Sequence, residues 1–349
     1  MGQIPASGRV LYETYGPLLA AKMSLRLARE GMLGDHRHHT KFVHACLKLG
    51  SYRCLVEVMD WAYQSWVARG LEARELEREL GCWKEVVEET VVNRAGGQEL
   101  VRLYEVLWQA DETFRARVEK ARGPLGEQAL PRPARELLSA LLTGDEVRAA
   151  GTPMELGESM RLLPQWWENI VAPAMRTVGK LWSEGCVTVV EEHVATGIAQ
   201  ELLRSRFPAA VQCSMDEVVA VVVPEGELHT MGAEIVRDFL RLKGYKVFYT
   251  GADTPMDGLL RLLEHNAVSF LLISTTMAAP LVSVMDLIDA VNERMGERRP
   301  RIVVGGQAYL LDGRLWEKVG ADVCLHGLEE LGAYMRADAA VELAGGRLR

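Results

Sequence analysis

The sequence predicts a helical amino-terminal region followed by a doubly wound α/β domain with a parallel sheet, and three observations carry that expectation. Short Val/Ile/Leu-rich runs recur only in the last third of the chain, each divided from the next by a helical pattern. Apolar residues at three-to-four spacing dominate everything before them. A Gly/Pro-rich stretch at 123–132 interrupts the helical pattern. A chain of 349 residues is too long for one ordinary core, so three domains are expected.

Residues 1–122 form the first, all-helical domain. Phe42, Cys46 and Leu49, then Val56, Met59, Ala62 and Trp66, keep the helical spacing, and no strand run interrupts them. The linker runs from Gly123-Pro124 through Pro131. Residues 133–210 read as a small helical bundle. Leu162, Trp166, Ile170, Ala174 and Val178 make one buried stripe, with a kink expected at Pro173. Thr143 with Glu146, and Thr188 with Glu191, fit the capping box, which starts one helix at Val189. Trp182 then closes the preceding helix, and 183–187 connects the two.

Residues 211–349 carry the strands, expected at 218–223, 246–250, 270–274, 301–304 and 322–325. A helix at 233–243 with Gly244 as its C-cap illustrates the intervening pattern. Five strands alternating with helices make a parallel sheet covered on both faces, in a flavodoxin-like order. Ligands of such sheets sit beyond the carboxyl ends of the strands.

Composition narrows the function. Apolar content of 48% and charged content of 25% are those of a globular chain, and a net charge of −8 argues against a phosphate-tracking surface, so no direct DNA contact is expected. The six cysteines show no CxxC pair and read as free thiols of a reducing cytoplasm. Without an apolar signal core or a run of about 20 apolar residues, a cytoplasmic location and no membrane partner are expected.

The segment Glu227-Leu228-His229-Thr230-Met231-Gly232 follows the first strand, where a ligand is expected. A neutral imidazole can ligate a metal, and a carboxylate that accepts its other ring N–H fixes the tautomer. His229 is thus the candidate metal ligand, Glu227 its support, and Gly232 permits close backbone approach.

Over roughly residues 133–330 the chain resembles the cobalamin-binding domain family, through Glu227-x-His229-x-x-Gly232, Ser274-Thr275-Thr276 and Gly305-Gly306. Ser274 follows His229 by 45 residues and Gly305 follows Ser274 by 31. The resemblance implies a cobalt-bound His229 that displaces the corrin's nucleotide tail into a slot lined by Ser274, Thr276, Gly305 and Gly306. Leu228, Thr230, Gln307 and Gly327 would complete that cofactor site. The family usually has Asp two before the histidine. Glu227 is a methylene longer, and its hydrogen bond to His229 is expected to be indirect or differently angled.

Trp182, nine residues and then Glu192-His193 resemble the lid that light-sensing cobalamin regulators close over a 5′-deoxyadenosyl group, as does the stretch Pro173-Ala174-Met175 through Gly179-Lys180-Leu181. The resemblance implies adenosylcobalamin, light-driven cobalt–carbon cleavage and a domain rearrangement, in a photoreceptor rather than an enzyme. Its output would pass to a protein partner or a second copy. Ser183 stands where those regulators can carry a second histidine. The alternative is a corrinoid carrier of a methyltransferase system, whose upper face must open to a partner enzyme.

Residues 1–122 lack a winged DNA-binding pattern. The region from His44 through Trp66-Val67-Ala68-Arg69-Gly70 to Glu88 is similar to the globin-like sensor domains of bacterial stress proteins and to the bilin-binding domain of photocobilins. That likeness implies biliverdin or another bilin held by His36, His38, His39, His44, Trp61 and Trp66. Arg37, Lys41, Tyr52, Arg53 and Cys54 are its further neighbours. The competing reading is a ligand-free dimerisation or signalling domain.

Overall fold

The computed structural model describes residues 6–29, 37–68, 73–108, 130–152, 159–207 and 213–345. The chain divides into two compact units: Met1–Gln128 with Leu181–Thr188, and Ala129–Lys180 with Val189–Arg349. The loop after Lys180 therefore groups with the amino-terminal helices rather than with the bundle that it connects.

The first unit is built from α1 (Ala6–Arg29), α2 (Arg37–Lys48), α3 (Tyr52–Ala68), α4 (Ala73–Val91) and α5 (97–108). Among the described residues it has no strand, as the spacing predicts. Leu19, Met23 and Leu27 of α1, Val43 and Cys46 of α2, and Trp83 and Val87 of α4 are almost wholly buried. Each such side chain contributes roughly 1.5–3 kcal/mol, which is why helices of modest propensity hold together here. Gly185 lies in the loop at φ 71, and a Cβ there would come 2.5 Å from the carbonyl oxygen of Ala68.

The second unit opens with α6 (Arg132–Thr143), α7 (Glu146–Ala150), α8 (Ser159–Trp166), α9 (Ala172–Ser183, its last three residues in the first unit) and α10 (Val189–Arg206). Between α8 and α9, Trp167–Val171 forms a π-turn in which Ala172 N–H bonds the carbonyl of Trp167. Pro173 follows this turn, and because proline has no N–H to offer and its ring crowds the preceding turn, the wider turn accommodates it. One capping expectation is corrected. Thr143 ends α6 and donates to the Ser139 carbonyl at 2.8 Å, Gly144 follows at φ 68, and Asp145 caps α7 by accepting from Arg148 N at 2.9 Å.

The five strands β1 (Val218–Val222), β2 (Lys246–Tyr249), β3 (Val268–Ser274), β4 (Arg301–Gly305) and β5 (Val323–Cys324) are all parallel, in the order β2-β1-β3-β4-β5. This is the flavodoxin-like order that the alternation predicts. Helices α11 (Met231–Leu242), α12 (Met256–His265), α13 (Leu281–Met295), α14 (Leu315–Lys318) and α15 (Leu328–Gly345) complete the unit. One core joins bundle and sheet: Leu137, Trp166, Ala174, Val178, Ala199 and Leu203 pack with Val219, Val221, Phe239 and Phe270. The bundle is thereby fixed at the sheet rather than tethered to it. No described helix is long and apolar enough to cross a membrane.

Candidate functional site

The site starts where β1 runs out. After Val223 the chain turns at Gly226, with φ 84, and delivers Glu227 into the interior, 1% exposed. A buried carboxylate is costly unless its oxygens are matched by donors, and these are. Oε1 accepts from the N–H groups of Leu228 and His229, each at 3.0 Å, and lies 2.6 Å from His229 Nδ1. Oε2 accepts from Thr276 N at 2.8 Å and Met277 N at 2.9 Å. Burial pushes the Glu227 carboxyl up, but His229 and the backbone donors together hold it below its ordinary range. The same bond raises the His229 imidazole against the effect of burial, with Glu192 adding to the rise.

An ionised carboxylate only accepts, so Nδ1 carries the proton, and in the neutral imidazole the lone pair is on Nε2. Among the described residues nothing hydrogen-bonds Nε2, and the side chain is 57% exposed. The expectation of an indirect bond is corrected. The longer side chain reaches His229 directly while also holding the loop after β3.

The family-derived slot residues come together at the carboxyl ends of β1, β3 and β4. A Cβ on Gly232 would stand 3.3 Å from Ser274 Oγ, and one on Gly306 2.3 Å from the Thr275 carbonyl oxygen. Gly306, at φ 109, and Gly305, where a Cβ would lie 2.8 Å from Leu325 O, admit no larger residue without movement. Sequence reasoning reached Thr275 only as part of the Ser274-Thr275-Thr276 motif and passed over Tyr309. The Thr275 hydroxyl and the neighbouring Tyr309 phenol are buried, and among the described residues neither meets a partner in hydrogen-bond geometry, which is rare for buried polar groups. Gln307 begins the short 3₁₀ turn after β4, and Leu228 is exposed.

Two candidates have their contacts within the protein instead. The Thr230 hydroxyl donates to Glu234 Oε1 at 2.8 Å and accepts from Gln200 Nε2 at 3.1 Å, tying α10 to the histidine loop. Gly327 gives room to a bundle carboxylate, since Glu168 Oε1 accepts from Leu328 N at 2.9 Å and a Cβ on Gly327 would meet it at 2.7 Å.

Of the lid residues, Glu192 accepts from Thr196 Oγ1 at 2.7 Å and pairs with the exposed His193 at 3.6 Å. Glu192 is close enough to His229 to stabilise its charged form. Trp182 belongs to the first unit, where its ring centroid lies 6.0 Å from that of Trp61.

The histidines assigned to a bilin do not share a pocket among the described residues. His39 is buried, stacked on Trp83 at 4.3 Å, with Nε2 3.1 Å from the Tyr104 hydroxyl, which in turn meets Tyr12 at 2.9 Å. His44 pairs with Glu13 of α1 at 3.2 Å. Positions five apart point about 140° away from one another on a helix, so one histidine enters the core and the other does not. Trp61 faces Trp182 rather than a cluster of histidines. His36 and the side chains of His38 and Trp66 lie outside the described residues.

The donor set fits a metal carried by a macrocycle. His229 offers one ring nitrogen, Nε2, with Nδ1 taken by Glu227, and no group of three or more metal-ligating side chains occurs among the described residues. The Thr275 and Tyr309 hydroxyls, buried beside the close-packed Gly305 and Gly306, are polar groups that a ligand's polar tail could match.

Residues 217–332 match the B12 binding domain, and residues 133–205 match a second family model with the same description. A dimethylamine corrinoid protein of Methanosarcina acetivorans is 27% identical over 161 residues, 44% of this chain and 73% of that protein. An uncharacterized 20.5 kDa protein from the bchF-crtJ intergenic region of Rhodobacter capsulatus is 26% identical over 196 residues, 53% of this chain and 92% of that one. The solved monomethylamine corrinoid protein of Methanosarcina barkeri is 18% identical, with a TM-score of 0.47 over 59% of this chain and 96% of its own.

Proposed function

We propose, for a chain that carries two B12-binding domains and so belongs among the cobalamin-binding proteins, that His229 is the lower cobalt ligand and Glu227 the group that sets its tautomer. The observation that carries this reading is the 2.6 Å bond from Nδ1 to a carboxylate whose oxygens are already saturated. Such a carboxylate cannot swing away, and it makes Nε2 a stronger donor. When bound, cobalamin supplies an upper ligand that can be transferred or split off. The chain's part is to hold the lower face, with the Thr275 and Tyr309 hydroxyls available to the tail. The test is the electron paramagnetic resonance spectrum of the full chain loaded with cob(II)alamin. Nitrogen splitting from a protein imidazole is expected, and H229A should lose it and bind at least about tenfold more weakly. An unchanged spectrum in H229A overturns the reading.

The upper face separates two uses. The relatives' names favour a corrinoid carrier, which presents a small group to a partner enzyme. A sensor holding adenosylcobalamin is favoured by Trp182-x9-Glu192-His193, with Glu192 within electrostatic reach of His229. In that second reading light releases the upper ligand and the output passes through the helical unit. A bilin there would be an addition to the sensor, to be tested by absorbance after mixing the full chain with biliverdin. Preference for the adenosyl over the methyl form, and a light-dependent change of absorbance and oligomeric state, would decide for the sensor. Methyl transfer to a partner thiol with no such preference would decide for the carrier.

A further inference from the structure

Asp253, in the loop between β2 and α12, lies at φ 50, the one non-glycine residue with positive φ among those described. An L-residue pays of order 1 kcal/mol for that conformation, and it persists where contacts over-determine it. The contacts are reciprocal. Asp253 Oδ1 accepts from the N–H of Gly226 at 2.7 Å, and the N–H of Asp253 donates to the Glu227 carbonyl at 2.9 Å. Beside this pair, Pro224 and Thr254 form an isolated parallel bridge, and Thr254 N–H donates to Val223 O at 3.1 Å.

The clamp thus grips the backbone of the two residues that lead into His229. The Glu227 carboxylate is anchored separately, on the Thr276 and Met277 N–H groups. With the side-chain end fixed, release of the backbone end would let the Glu227–His229 peptide pivot about the carboxylate and carry the imidazole with it.

We propose that Asp253 is a positioning residue for the His229 ligand, acting through the backbone of Gly226 and Glu227. The proposal rests on the reading of His229 as cobalt ligand. Its role is separable from turn stability, because glycine adopts φ 50 freely and yet lacks the carboxylate.

The experiment compares D253G and D253N with the unaltered full chain. One readout is affinity for hydroxocobalamin together with the imidazole nitrogen splitting of the cob(II)alamin form. The other is the downfield Nδ1–H proton resonance of His229 in the cobalamin-free protein. D253G should bind about tenfold more weakly, with altered splitting and a shifted Nδ1–H signal. D253N tolerates the left-handed conformation and keeps a neutral acceptor, so it should stay within about threefold of the parent with a smaller shift. A folded D253G with parental affinity, splitting and proton resonance overturns the proposal. Should D253G fail to fold, the Nδ1–H signal of D253N decides: a shift supports the clamp, and none overturns it. If H229A keeps the parental spectrum, the ligand reading falls, while the proton resonance still tests the clamp.

Discussion

The indole of Trp61 lies 6.0 Å from that of Trp182, tilted by 31°, so the tryptophan that resemblance makes a lid rests on α3 of the helical unit. Such a pair contributes about 0.5–1.5 kcal/mol beyond its buried area. W61A should therefore lower the stability of the first unit by about that amount and shift the fluorescence of Trp182. W182A should keep cobalamin binding but lose any preference for the adenosyl form over the methyl form. Titrations of the two cobalamins against parent and variant check this, and equal affinities in the parent would remove the lid from the argument.

Glu227→Gln is expected to act on both the ligand and the fold. An amide substituted here would turn its NH2 toward one of two sets of donors, Leu228, His229 or Thr276, Met277, and leave part of the buried network unmet. Hydrogen bonds to buried charged groups contribute about 1.5–3 kcal/mol each. E227Q should lose about that much stability in urea unfolding and bind cobalamin about 10–100-fold more weakly. Loss of binding with unchanged stability would restrict Glu227 to orienting the histidine.

Much of this site was legible in the sequence because its signals are local. The Glu227-x-His229 spacing and the strand end before it sit within a dozen residues, and the five apolar runs place them in the sheet. Ser274-Thr275-Thr276 and Gly305-Gly306 were legible as slot motifs, though which of the three hydroxyls is buried was not, since that depends on which way the strand end faces. Asp253 and Glu168 were missed for a different reason. Asp253 acts 27 positions from Gly226, and Glu168 meets Leu328 across 160 positions, so no periodicity connects them. The histidine run was misleading because the sequence gives the composition of α2 but not its phase against α4, where Trp83 covers His39.

Acid should weaken the sheet through Asp322. Its carboxylate accepts from Arg299 at 2.6 and 2.7 Å and from Ile302 N at 2.7 Å. Burial pushes this carboxyl up, and Arg299 with the Ile302 N–H more than offsets that, so its pKa lies below the ordinary value. A depressed carboxylate contributes stability that is present above the unfolded pKa of about 3.9 and is lost as pH falls through the folded value. D322N should abolish that part of the pH dependence and cost about 1–3 kcal/mol near neutrality, discounted for the partial exposure of the pair. Thermal melts of parent and variant between pH 3 and pH 7, taken at roughly one-unit steps, measure both effects. Parallel curves would show that the pair is energetically neutral.

Thr275→Val separates a ligand's polar group from a defect of packing, because the two assign opposite signs to the same substitution. The hydroxyl is wholly buried beside the Tyr309 phenol, close enough to offset part of the rise that burial imposes on that phenol, yet among the described residues neither oxygen meets a partner in hydrogen-bond geometry. Such an unmatched group costs about 1–3 kcal/mol in the cobalamin-free protein, so a near-isosteric valine should raise stability by about 1 kcal/mol. If the hydroxyl meets a polar group of the bound corrinoid's tail, the same change should weaken cobalamin binding severalfold. Stabilisation by saturating cobalamin, which follows RT ln(1 + [L]/Kd), should then shrink in the variant. Parent and T275V melted with and without hydroxocobalamin give both signs in one series. A variant that is more stable without cobalamin and equally stabilised by it would leave the hydroxyl outside the binding site and return the slot to its glycines.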